Sequence, residues 1–440
     1  MSLGELSRKL EQKEARLAVI GLGYVGLPVA ALLAETGFDV LGVEIRGERV
    51  EKVNRGICPI EGVEPGLADL LTKVITSHKL LATSDYADLK DRDVILIDVE
   101  TPVDEHNTPR YEALRASLKS LGPVMKVGAL VIIESTVAPQ TMKDVVLPLL
   151  EQSSGKKVNT DFYLGHCPER VMPGKLLKNL RTLSRVVGGM TPETTETMIA
   201  LYHHIVHADL DAVDCITAEL VKTAENAYRD VQIAFANEVA LICETVGGDV
   251  WKVRELVNKS PFRQMHLPGA GVGGHCIPKD PWLLAYGVKN NNVTLRIIPA
   301  ARAVNDFMPL HMVELVEKAL IASERTISGA RVVVSGYAYL EDSDDMRNSP
   351  SIVLVKRLRE LGAKVVIHDP YVAGYKGDLP ALARNADAVI VMVAHSGYKT
   401  MKLSEVSAVM RTPLLIDGRS VYTREQAEQA GLKYIGLGKG

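Results

Sequence analysis

One cysteine stands where a nucleophile would be useful. Cys276 lies in GAGVGGHCIPKDP, residues 269–281, between glycines on one side and two prolines on the other. The glycines let the backbone come close to a ligand, and Pro278 and Pro281 fix the turn that follows. Cysteines that merely fill a core sit in apolar helices or strands, as the surroundings of Cys243 suggest for that residue. A thiol among glycine, histidine, lysine and aspartate is placed for chemistry instead. Asp280, four residues on, is a candidate base acting through water.

Partners for the thiol are available elsewhere. Lys222 and Asn226 are spaced i, i+4 within ELVKTAENAYRD, so a helix would put them on one face. The lysine would stabilise an oxyanion and the asparagine would orient it; a plain solvated surface is the competing reading. Glu134, Thr136 and Glu169 fall at the C-terminal ends of predicted strands, the edge where open α/β sheets bind ligands.

A second chemical signal lies near the start. Gly21-Leu22-Gly23-Tyr24-Val25-Gly26 follows an apolar run and opens a helical stretch. Gly21 permits the tight turn, Gly23 lets the backbone approach a pyrophosphate, and Gly26 allows helix and strand to pack. The helix N-terminus then offers N–H groups to the phosphates. Glu44 ends the next strand, where an acceptor for a ribose 2′-hydroxyl is expected, and its charge favours NAD over NADP. Arg46 beside it pulls the other way. Tyr24, Val25, Arg49, Thr101 and Thr136 complete the set of candidate cofactor contacts.

These residues require a particular scaffold. Apolar runs at 17–23, 38–45, 93–99, 129–136, 162–169 and 184–190 alternate with helical stretches such as 24–36 and 110–125. That alternation predicts a parallel sheet covered on both faces. Residues 215–247 contain no proline and predict one long helix with a broad apolar face that includes Leu220, Ala224, Ala227 and Val231. Beyond residue 330 the rhythm returns, with strands at 330–339, 363–370, 387–395 and 413–419 and a helix at 349–361. The fold class is therefore α/β: two doubly wound Rossmann-like domains joined by a long central helix. The expected divisions are 1–211 for the cofactor, 212–310 for the helical middle with the cysteine loop, and 311–440 for the second Rossmann-like domain.

Composition narrows the function classes. A formal net charge of −3 offers no global basic field for nucleic acid or an anionic membrane. The five cysteines are odd in number and scattered, which argues against a disulfide framework, and no Cys/His spacing predicts a metal site. The polar, charged N-terminus and the lack of a long apolar run point to a cytoplasmic protein.

GLGYVGLPVA, the Thr-Pro at 101–102, EST at 134–136, CPERVMPGK at 167–175, ELVKTAENAYRD, GVGGHCIPKDP and DDMRNSP occur in one order along nearly the whole chain. Together they resemble the UDP-glucose/GDP-mannose dehydrogenase family. The resemblance implies NAD as cofactor and a UDP-sugar as substrate. CPERVMPGK and AYRDVQIAFANE look most like members acting on UDP-N-acetylhexosamines, the manno epimer first, with UDP-glucose and the gluco and galacto epimers as alternatives. It also implies oxidation of the C6 alcohol to a carboxylate through a thiohemiacetal and thioester on Cys276. Lys222, Asn226, Asp280 and Glu169 would be the other catalytic residues. Arg170, Arg263, His266, Gly273 and Arg347 would bind substrate, and the second βα domain would take UDP. Lys279, Gln140, Glu100 and the pair Tyr339-Leu340 depart from the family's usual residues. A homodimer through the long helix is expected. A two-electron hydroxy-acid dehydrogenase would have no use for Cys276, and a non-catalytic binding protein would not keep the reactive set.

Overall fold

The computed structural model describes residues 1–440 apart from positions 61 and 63. The chain forms two compact units. The first comprises residues 1–225 and 282–292, the second residues 226–281 and 293–440.

Among the described residues the first unit is built on eight strands: β1 (Arg16–Ile20), β2 (Asp39–Val43), β3 (Leu80–Thr83), β4 (Val94–Ile97), β5 (Ala129–Ile133), β6 (Phe162–His166), β7 (Arg185–Gly189) and β8 (Leu210–Asp214). Their order is β3-β2-β1-β4-β5-β6-β7-β8. Strands β1, β4 and β5 are short, branched and apolar, and almost every residue is buried, as expected when helices cover both faces. Pairing is parallel from β3 through β6. A wholly parallel sheet was the expectation, and the sheet departs from it at one place. β7 runs antiparallel to β6, with His166 opposite Gly188, and β8 then runs parallel to β7. Only two residue pairs join β6 to β7, so the reversal is made at the sheet's upper edge. The apolar texture of SRVVGGM carries no sign of direction.

The second unit carries β9 (Arg331–Ser335), β10 (Lys364–His368), β11 (Ala388–Val391), β12 (Leu414–Asp417) and β13 (Lys433–Gly436). Their order is β10-β9-β11-β12-β13, all parallel. The helix Ile297–Ile321 buries Met308, Met312, Val316 and Leu320 against this sheet's core.

The helix Cys215–Val246 runs for 32 residues. Of the apolar row read from the sequence, Ala227 is buried, whereas Leu220 is 42% exposed and Ala224 is also at the surface. The buried stripe is made instead of small and polar side chains, among them Ala218, Lys222, Thr223, Asp230, Ala234 and Asn237. Among the described residues the cysteines form no disulfide. Among the described residues no helix is long and apolar enough to cross a membrane.

Candidate active site

In the first unit, β1 ends in the glycine turn. Gly21 has φ +95°, and a Cβ there would stand 2.3 Å from the Asp98 carbonyl oxygen. A Cβ on Gly26 would stand 2.0 Å from the Gly21 carbonyl oxygen. Both positions therefore require glycine. Gly23 differs: a Cβ there would meet nothing within 4 Å, so this face of the turn is open. The helix Gly26–Glu35 begins at Val25 with no side-chain cap. No side chain blocks this helix start, so its positive end is open to a ligand of suitable charge, as a pyrophosphate is.

Glu44 stands at the end of β2, only 6% exposed, and accepts the Arg46 N–H at 3.0 Å. The Arg46 Nε lies 3.7 Å and the Arg49 Nη1 3.5 Å from its carboxylate. Arg49 also donates to the Leu22 carbonyl within the glycine turn, at 3.3 Å. The Thr101 hydroxyl donates to the Thr136 carbonyl at 2.6 Å, tying together the loops after β4 and β5. Open glycine backbone, an uncapped helix start and a carboxylate at the end of β2 fit a dinucleotide.

Beneath the turn lies a buried polar cluster. Glu134 accepts Arg185 Nη1 at 2.9 Å and the Tyr202 hydroxyl at 2.8 Å, all three side chains shut from solvent. Burial, followed by the neighbouring Glu134, holds the Asp98 carboxyl well above the usual carboxylate range. Burial likewise pushes the Cys167 thiol up to about 12, which makes it inert as a nucleophile.

Glu169 follows β6 and is 9% exposed; its carboxylate accepts the Val171 N–H at 2.6 Å. The ammonium of Lys222, itself buried, donates to the Glu169 carbonyl. Lys222 is therefore no solvated surface charge. Arg170 forms a two-pronged pair with Glu225 and also donates to the Ser184 hydroxyl at 3.0 Å.

In the second unit, Cys276 is exposed. The Asp280 N–H donates to the Cys276 carbonyl at 2.8 Å, closing one helical turn. The Asp280 side chain is fully buried. It accepts Asn226 Nδ2 at 2.5 Å, and the Lys279 ammonium lies 3.2 Å away. Asn226 thus faces Asp280, the sequence-predicted base. Burial, with Lys279 and Arg347 adding to it, lowers His275 to about 4, so its ring is neutral at ordinary pH.

The glycine loop before the cysteine is pinned along its length. Gly269 N–H donates to Asn237 Oδ1 at 2.9 Å, and Arg419 Nη2 donates to the Gly271 carbonyl at 3.2 Å. Gly274, at φ +88°, donates to the Arg347 carbonyl at 2.8 Å and accepts Asn348 Nδ2 at 3.0 Å. Gly273 packs so tightly that a Cβ would come 2.6 Å from the Tyr339 Cβ. Behind Asn237, Asn305 donates to Asp230 Oδ1 at 2.7 Å and Arg302 Nη1 donates to the same oxygen at 2.6 Å. Arg347 is paired with Asp345 at 2.6 Å. Arg263 lies exposed beside Phe262, whose ring is 99% exposed, and His266 Nδ1 accepts the Leu267 N–H at 2.8 Å.

Sequence reading placed Glu134 at a strand end but missed its partner Arg185, and it missed Asp230 and Asn237, which are joined through Asn305. The second pair left a signal: Asn226, Asp230 and Asn237 are polar residues at i, i+4 and i+11 of one helix. For Arg185 no signal existed, because its partner lies 51 residues away.

Residues 15–206 match the NAD binding domain of the UDP-glucose/GDP-mannose dehydrogenase family, residues 216–307 its central domain and residues 333–424 its UDP binding domain. A UDP-N-acetyl-D-mannosamine dehydrogenase of Pyrococcus horikoshii is 38% identical over 97% of this chain and 99% of its own. The solved structure of a UDP-D-ManNAc dehydrogenase from Pyrococcus horikoshii superposes with a TM-score of 0.91, again at 38% identity over 97% and 99% of the chains. An NDP-N-acetyl-D-galactosaminuronic acid dehydrogenase from Methanosarcina mazei superposes at 0.87, with 37% identity over 100% and 98%. The chain belongs to the UDP-glucose/GDP-mannose dehydrogenase family and is an NAD-dependent UDP-sugar dehydrogenase.

Proposed function

We propose that the chain oxidises C6 of UDP-N-acetyl-D-mannosamine from alcohol to carboxylate. The balanced reaction consumes one water and two NAD, and yields two NADH and three protons per sugar. The observation that carries this reading is an exposed Cys276 one helical turn before a buried Asp280 held by Asn226. The manno epimer is supported by the full-length likeness to the Pyrococcus horikoshii enzyme of that name. The galacto epimer is the second reading, because the likeness to the Methanosarcina mazei enzyme is nearly as close.

NAD would supply the hydride acceptor for each of the two oxidations at C6. Gly21, Gly23, Tyr24, Val25 and Gly26 would hold its pyrophosphate, Glu44 and Arg49 a ribose, and Thr101 and Thr136 the remainder. The thiolate of Cys276 adds to the C6 aldehyde carbon, forming a C–S bond and leaving an alkoxide that Lys222 stabilises. After the second oxidation that carbon is a thioester. Asp280, oriented by Asn226, takes a proton from water as it attacks, the C–S bond breaks and the sulfur leaves. Glu169 assists by positioning the water. Arg170, Arg263, His266, Gly273 and Arg347 bind the sugar nucleotide. In this reading 1–211, 212–310 and 311–440 act as cofactor, catalytic and UDP domains, in the cytoplasm. The chain works as a homodimer, with Tyr228, Phe235, Ile242 and Val246 of the long helix, each more than half exposed, as its contact.

The test is a panel of UDP-sugars incubated with NAD, reading NADH formed per sugar and the mass of the product. Two NADH and a uronic acid from the N-acetyl-manno substrate are expected. One NADH per sugar, or unchanged acid production by Cys276→Ser, would reject the thioester route.

A further inference from the structure

Glu64 plays no part in the chemistry above, yet its carboxylate is a junction within the first unit. One oxygen accepts the Tyr24 hydroxyl from the glycine turn. The same oxygen accepts the Gly174 N–H at 2.6 Å, and the other accepts the Leu176 N–H at 3.2 Å. Gly174 and Leu176 end the segment that starts at Glu169 and Arg170. The rest of that segment is held locally: Val171 N–H by the Glu169 carboxylate and Met172 N–H by Asn179, at 2.6 and 3.1 Å. Glu64 thus joins the dinucleotide turn to this segment, whose Gly174 lies 110 residues beyond Glu64 in the sequence.

We infer that Glu64 is a positioning residue that couples NAD binding to the order of residues 169–176, and through them to Glu169 and Arg170. The inference rests on Tyr24 being a cofactor contact and those two residues serving the sugar substrate. The physical basis is that an ionised carboxylate makes stronger, shorter bonds to N–H and O–H donors than a neutral acceptor does. Fixing Tyr24 by a bound dinucleotide fixes one donor of the junction, and the carboxylate then offers a better-defined acceptor to the others.

Hydrogen exchange of the full-length chain, with and without NAD, tests this. In the parent protein NAD should slow exchange at the amides of Gly174, Lys175 and Leu176. In Glu64→Gln and Tyr24→Phe that NAD-dependent slowing should vanish. Glu64→Gln should also raise KM for the UDP-sugar about tenfold, with a smaller change in kcat, as expected for loss of one charge-assisted bond. A purely structural Glu64 would change exchange equally with and without NAD. Parent protein that binds NAD with no change at these amides overturns the coupling and leaves the cofactor site as read. Slowing by NAD that persists in both variants also overturns it. Parent protein with no affinity for NAD overturns the coupling together with the reading of the cofactor site.

Discussion

Asn226 donates its side-chain amide to the Asp280 carboxylate at 2.5 Å, and Asp280 in turn donates its own N–H to the Cys276 carbonyl at 2.8 Å. The acid is therefore fixed on both sides, by a helix through its side chain and by the cysteine's own turn through its backbone. Asp280→Asn keeps the shape and the acceptor for Asn226 but cannot take a proton. Turnover should fall by about 10²–10⁴, the usual share of a general base. Intact-protein mass should then show the sugar nucleotide retained on Cys276. Full turnover with no adduct would remove Asp280 from hydrolysis.

Cofactor choice should reside in Glu44. Its carboxylate sits between Arg46 and Arg49, so removing it frees two guanidinium groups where a 2′-phosphate would lie. Glu44→Ala should lower kcat/KM for NAD and raise it for NADP, each about tenfold, the size of one charge contact near a surface. Steady-state kinetics with both cofactors decide it, and an unchanged ratio would count against this site.

Glu219 predicts a pH dependence of stability. Its carboxylate is 1% exposed and accepts the Gln140 and Met142 N–H groups at 2.8 and 2.7 Å. Burial raises it from 4.5 to about 7. The folded chain therefore holds a proton that the unfolded chain has released across that window. Stability should decline as pH climbs from 4.5 to about 7 and level off above, with a slope of up to ~1.4 kcal/mol per pH unit from this group. Thermal unfolding of Glu219→Gln beside the parent should show the decline removed. Parallel curves would assign the pH dependence elsewhere.

Arg185 and Glu134 form an ion pair whose side chains are 2% and 0% exposed. Arg185→Met strands a buried carboxylate and should cost about 3–5 kcal/mol, whereas adding Glu134→Leu should recover much of it. Urea unfolding of the single and double variants measures both. Equal losses in the two would mean that the arginine's packing matters more than its charge.

What could be read without coordinates was what repeats or punctuates. The glycine turn, the strands around it and the long helix follow from local pattern, and the structure has each of them. β8 escaped notice because Leu210–Asp214 is a half-exposed edge strand with two aspartates and little apolar signal. β3 and β13, four residues each, also went unread. The polar residues of the helix were read correctly as sharing a face. Their partners were not: Lys222 meets a backbone carbonyl and Asn226 meets Asp280, and both are encounters across the fold. The raised carboxyl of Asp98 comes from its own burial first and from the neighbouring Glu134 second, which no motif encodes.

The reversal of β7 and β8 sets a helical phase. Asp214, the last residue of β8, lies opposite Gly189, so the long helix starts at Cys215 level with the top of β6. Lys222 is then two turns along, at the height of Glu169. Each residue turns a helix by about 100°. Loss or gain of one residue between 215 and 222 would swing the ammonium a quarter-turn off its carbonyl while leaving every strand in place. That stretch should accept changes of side chain far more readily than changes of length.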